Sequence, residues 1–206
     1  MLKQGPPPEN TRLKKSTIYI GLFAGLGILL SILITLLNDS LLSMGKSLEG
    51  TGGLGLLDAV LVLVLAIPIS LVQTFILKDS IPASKIIPFI GASSLAGFLA
   101  GFVGGTAVNL FKIVPAPIPG IPIGALIGGV FGLISGFLQS QFMGKKEQTS
   151  KWLIYSAASN VFVWMLGWTV GWVVLGLTGA AISSALMMLL SGIFLSVFIN
   201  TNHIEF

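Results

Sequence analysis

The chain has 206 residues, of which 54% are hydrophobic and only 9% charged, with a mean hydropathy of +0.98. A soluble domain carries roughly 25% charged residues, so this chain lacks the polar surface to face water and is expected inside a membrane. The absence of cysteine and the single histidine, His203, exclude a disulfide framework, a thiolate nucleophile and a paired-histidine metal site.

Taken in order, the chain opens with a tail, 1–16, that carries Pro6-Pro7-Pro8 and reads as a flexible segment. About 20 apolar residues cross the hydrocarbon core as a helix, and six segments qualify: 17–37, 57–77, 86–107, 121–143, 152–175 and 178–199. The first follows Lys14-Lys15, and no small-x-small cleavage site comes after it, so it reads as a retained anchor. In the long loop 38–55, residues 39–44 are expected to form a short interfacial helix, with Gly50, Gly52, Gly53 and Gly55 as punctuation. Asp58 stands at the edge of the second segment and is the one ionisable candidate inside the spans; it reads as an acidic residue favoured by the helix N-terminus. Between the third and fourth segments, Pro115, Pro117, Pro119 and Pro122 predict a stiff, non-helical connector over 114–122. The chain closes with a short tail, 200–206.

The expected fold is therefore all-α: a single polytopic domain over 17–199, six transmembrane helices arranged as three tandem hairpins. Its orientation follows from the basic residues. Lys3, Arg12, Lys14, Lys15, Lys78, Lys85, Lys145, Lys146 and Lys151 fall on one face, and only Lys46 and Lys112 on the other. The positive-inside rule makes both termini cytoplasmic, in a bacterial plasma or thylakoid membrane. The same placement explains a pI of about 9.5 through loops near an anionic leaflet, without nucleic acid as a partner.

Sliding the chain on itself by 66 residues aligns 71–105 with 137–171. Gln73 meets Gln139, Ser84-Lys85 meets Ser150-Lys151, Ala92-Ser93 meets Ala158-Ser159, Gly101 meets Gly167 and Gly105 meets Gly171. Spans three-four and five-six then read as parallel copies of one hairpin, with spans one-two a diverged third. Copies of a two-span unit keep one orientation, unlike inverted repeats.

Two stripes recur at intervals of four. Gly120, Gly124, Gly128, Gly132 and Gly136 line one ridge of the fourth span; Gly97, Gly101 and Gly105 line the third; Gly167 and Gly171 line the fifth. Such ridges let a second helix cross closely, so these glycines are expected to serve helix packing. Trp164, Trp168 and Trp172 form the second stripe. They either cover a neighbouring glycine groove or form an aromatic wall for a lipid-soluble cofactor such as a carotenoid, chlorophyll or lipid. Asn160 and Gln139 are candidate polar contacts to such a ligand. The alternative for Asn160 is a hydrogen bond to a neighbouring helix, and Gln73 and Gln139 are expected near headgroup level.

Leu138-Gln139, the short basic loop, Lys151-Trp152, Ala157-Ala158-Ser159, Gly167-Trp168 and Gly171-Trp172 together resemble uncharacterised Gly/Trp-rich multi-span proteins common in cyanobacteria. The likeness covers about 130–200. It departs from that pattern at Ser140, where the family carries Trp, and at Glu147 in the basic loop. It implies topology and lineage, and no chemistry.

Without ionisable groups deep in the spans, ion-coupled pumping and intramembrane catalysis are not expected. Two functions remain. One is a non-catalytic subunit or assembly factor of a larger membrane complex, photosynthetic or respiratory, with other membrane subunits and the bilayer as partners. The other is a carrier or substrate-binding membrane component for a neutral small solute. For the latter, six spans in about 200 residues resemble in size and topology the substrate-binding components of energy-coupling-factor vitamin transporters, and no ligand motif of that class is present.

Overall fold

The computed structural model describes residues 9–48, 53–78, 81–111, 118–142, 146–174 and 176–201. They form six long helices: α1 (Glu9–Leu48), α2 (Gly53–Ile76), α3 (Ile86–Phe111), α4 (Gly120–Ser140), α5 (Lys146–Val174) and α6 (Gly176–Thr201), with one 3-10 turn, Ala83–Lys85, ahead of α3. Each helix contains an apolar stretch of at least 21 residues, enough to cross a hydrocarbon core of about 30 Å at 1.5 Å per residue.

The outward surface decides the solvent. Ile87 is 82% exposed, Leu36 76%, Ile154 69% and Leu29 66%, and residues of this kind lie along every helix. A water-facing protein does not present so continuous an apolar surface. The chain is an integral membrane protein, and its outer side chains meet lipid.

Two expectations about the connections change. Residues 39–44 are not a separate interfacial helix; α1 runs unbroken for 40 residues, from Glu9 to Leu48. Nothing between 38 and 48 is glycine or proline except Gly45, so the helix continues past the apolar stretch. The proline connector is shorter than 114–122, since α4 begins at Gly120 and holds Pro122 in its first turn. There the missing N–H has no intrahelical acceptor to lose. The part of the connector at 112–117 and the Pro6-Pro7-Pro8 segment lie outside the described residues.

Among the described residues, backbones approach closely only between neighbours around a ring: α1/α2, α2/α3, α3/α4, α4/α5, α5/α6, and α6 back to α1. The approach is closest for α4/α5 and α2/α3, next for α1/α6, and least for α1/α2. The first and last helices therefore close the ring. Ser31 donates to the carbonyl of Ala181 at 2.8 Å, and the Asn200 amide donates to Ser16 Oγ at 2.8 Å.

Glycines explain the close pairs. A Cβ on Gly120 would stand 2.6 Å from Thr169 Cα, on Gly132 2.5 Å from Ser156 O, and on Gly124 and Gly128 against the carbonyls of Trp164 and Asn160. The α4 ridge thus lies backbone-to-backbone on an antiparallel α5. Gly136 faces the Ser156 side chain at 2.7 Å. Gly97 meets Val62 O of α2 at 2.8 Å, Gly101 meets the Asp58 carbonyl, and Gly105 is buried on the same helix. Gly167 and Gly171 differ: the first meets the flexible Met187 side chain, and the second has nothing nearer than Ser183 at 3.9 Å. The close crossings consequently join α2 to α3 and α4 to α5 across the short loops, and α6 to α1 across the ring closure.

Candidate functional site

The interior has two unlike ends. At the end where α2, α4 and α6 terminate, a polar knot sits inside a ring of aromatics. The Gln139 side chain, 2% exposed, donates from Nε2 to Ser93 Oγ at 2.5 Å and to Gln73 Oε1 at 3.3 Å. Its Oε1 accepts from Trp152 Nε1 at 3.1 Å. Both amide hydrogens and the carbonyl are thereby used, as a buried amide requires. Trp152 is 1% exposed, with Tyr155 at 5.2 Å, Phe198 at 5.4 Å and Phe89 at 6.3 Å between ring centroids. Such tilted and edge-on pairs are the packed arrangement of aromatic rings.

The other end is hollow. A cavity of about 580 Å³ lies among the C-terminal halves of α1 and α5 and the N-terminal halves of α2 and α6, with Gly101 of α3 and Ile127 of α4 completing the wall. Residues from all six helices line it. On α1 the lining face is Leu30, Leu33, Ile34 and Leu37, a 3-4 spacing that keeps one side of a helix toward the space. Trp164, Trp168 and Trp172 form the α5 wall, with Gly171 beside them. Trp164 also packs on Phe131, with centroids 6.0 Å apart.

Polar groups in the lining are few. Ser183 Oγ donates to the Gly167 carbonyl at 2.7 Å, and Ser184 Oγ to that of Ala181 at 2.9 Å, so these hydroxyls are committed to backbone. The remaining polar side chain is Asp58.

The five residues expected at a ligand therefore separate. Trp164, Trp168 and Trp172 share the cavity. Gln139 belongs to the knot at the opposite end, buried from headgroups by Trp152 and Ser93. Asn160 is not on the large cavity wall and does not bridge to another helix; its Nδ2 donates to the Ser156 carbonyl one turn back in α5, at 2.8 Å. It lines a small void of about 30 Å³, shared with Gln73, Ser159 and Ser191. Sequence reasoning did not find the α1 and α2 walls, nor Asp58 as a cavity residue. The available signal was that Asp58 is alone among ionisable residues in the spans.

No family model, curated protein or solved structure matches the chain. The functional reading therefore rests on this geometry. The lining offers shape, apolar surface, three indole rings and one carboxylate. Among the described residues no group of three or more His, Cys, Asp or Glu comes together.

Proposed function

We propose that the chain is a membrane-embedded binding protein that holds a compact, lipid-soluble small molecule inside its helix ring, as the substrate-binding component of a carrier or as a ligand-holding subunit. The cavity is the observation that carries this reading. Its 580 Å³ falls within the 300–1,000 Å³ typical of small-molecule sites, and such sites combine mostly apolar walls with few polar groups. Among α2 residues, its lining runs from Asp58 to Ile69, about 16 Å along the helix, or half the hydrocarbon core. A ring system or a single short chain fits that depth better than a rod as long as the bilayer, such as a carotenoid. Entry is through the bilayer: α1 and α2 approach least, and Leu33, Leu37 and Val64 at their seam are both cavity-lining and exposed.

Three of the four tryptophans of the chain stand on the cavity wall, so intrinsic fluorescence reports on its contents. Protein purified in a mild maltoside detergent is expected to carry a stoichiometric extractable small molecule. An apolar ligand added after its removal should quench fluorescence in the wild type and about tenfold less effectively in Trp168→Ala. Protein with no bound molecule and quenching unchanged by Trp168→Ala would overturn the reading.

A second reading, a subunit of a larger photosynthetic or respiratory assembly, draws on α1. Only 17% of its most apolar window is buried within the chain, the lowest share of the six spans, leaving a broad face for another membrane protein. Blue-native migration after mild solubilisation tests it: a larger complex supports it, and a lone chain of 21.6 kDa plus detergent opposes it. In both readings the termini are cytoplasmic. The cysteine-free chain allows a direct check, in which His203→Cys is labelled only from the cytoplasmic side and Lys46→Cys only from the opposite one.

A further inference from the structure

We infer that the cavity selects a ligand with a positive charge, an organic cation of apolar body, and that Asp58 is its counter-ion. The inference rests on the cavity being a ligand site. Asp58 lines the space, and among the described residues its carboxylate has neither an ion-pair partner nor a hydrogen bond. No Lys, Arg or His shares the lining. A charge in apolar surroundings is stable only when paired, and the residues around Asp58 provide no pair.

The helix N-terminus does not satisfy it either. Dipole stabilisation fades beyond the first turn, and Asp58 is the sixth residue of α2, which starts at Gly53. Its side chain instead shares the cavity face with Leu61, Val62 and Leu65 one and two turns on. Trp168 and Trp172 of α5 line the same space, and indole rings attract a cation, most strongly when it is desolvated. One carboxylate, indole rings and an otherwise apolar wall are the chemistry that recognises a quaternary or protonated amine, or a phosphonium, attached to hydrocarbon. A neutral molecule of the same shape gains the apolar contacts and leaves the carboxylate without a partner.

The test compares tetraphenylphosphonium with its neutral isostere tetraphenylsilane, by tryptophan quenching in maltoside micelles, on wild type, Asp58→Asn and Asp58→Glu. In the wild type the cation should bind at least tenfold more tightly than the neutral probe. Asp58→Asn should remove that preference while binding the neutral probe within twofold of wild type, which also shows that the variant is folded. Asp58→Glu should restore at least part of the preference. Equal affinity of the two probes for the wild type, or a preference that survives Asp58→Asn, overturns the charge assignment and leaves the cavity reading standing. If neither probe binds the wild type, both readings fall together.

Discussion

Around Gln139 and Trp152 the bundle is filled but for a void of about 30 Å³, with every polar atom of the Gln139 side chain partnered and aromatic rings packed against Trp152. Around Asp58 and Trp168, indoles and aliphatic chains with two serines and one carboxylate border open space. The difference lies in the helices opposite. At the filled end Phe89, Phe198 and Ser93 come from α3 and α6 to meet Trp152 and its amide partner. At the hollow end the facing helices are α1 and α2, whose approach is the least in the ring. Well-packed interiors leave few voids larger than water, so a space of 580 Å³ held open by all six helices is a feature of the design.

Substituting the two tryptophans breaks this comparison most directly. Trp152→Ala removes a fully buried indole and the donor to Gln139, and should cost about 3–5 kcal/mol, read as unfolding in detergent micelles. Trp168→Ala takes away one wall of an existing space and should cost under about 1.5 kcal/mol. Equal losses would mean that the hollow end is as tightly packed as the filled one.

Glycine positions give the next effect. A methyl on Gly128 strikes the Asn160 carbonyl, which as backbone of α5 cannot swing aside. Gly128→Ala should therefore cost about 1–3 kcal/mol through forced separation of α4 and α5. Gly171→Ala, with 3.9 Å to its nearest neighbour, should be within about 0.5 kcal/mol of wild type. Both residues lie on four-residue stripes, so a thermal-unfolding comparison separates close backbone crossing from mere spacing. Smaller again is Gln139→Leu, which leaves the Trp152 N–H without its acceptor while the Ser93 hydroxyl keeps its bond to the Phe89 carbonyl. About 1–2 kcal/mol is expected, since polar contacts within membranes average below those figures while a stranded buried group exceeds them.

The six spans were legible because length and hydropathy alone decide whether a helix crosses a bilayer, and the α4 ridge because spacing by four places glycines on one line. The partner of that ridge was not legible. The spacing of Gly167 and Gly171 is the same as that of Gly124 and Gly128, yet one pair meets side chains and the other meets backbone. Which occurs depends on how the facing helix is placed. Gln139 gave no sign of burial, because an amide near a span end is equally suited to a headgroup; Ser93 and Trp152, 46 and 13 residues away in the chain, supply its partners. The Trp164, Trp168 and Trp172 stripe showed a shared face, and a cavity is a property of what lies opposite. Asp58 was visible as a lone charge, but its role depends on the ring closing α1 against α6 and leaving the α1/α2 seam loose.

Filling the hollow end gives the smallest change in stability and the sharpest test of what the space is for. Leu61 is half-buried and lines the cavity one turn beyond Asp58. In a packed interior, Leu61→Trp would force neighbours off their rotamers at about 1–3 kcal/mol. Here the larger ring enters open volume, so the added apolar contact and the lost side-chain freedom should nearly cancel, leaving stability within about 0.5 kcal/mol of wild type. The same ring occupies volume that a ligand needs, so quenching by an apolar ligand should fall at least tenfold. Unchanged stability with lost binding is expected only of a preformed site. A stability loss in the overpacking range would instead show that the helices close over this space when no ligand holds them apart.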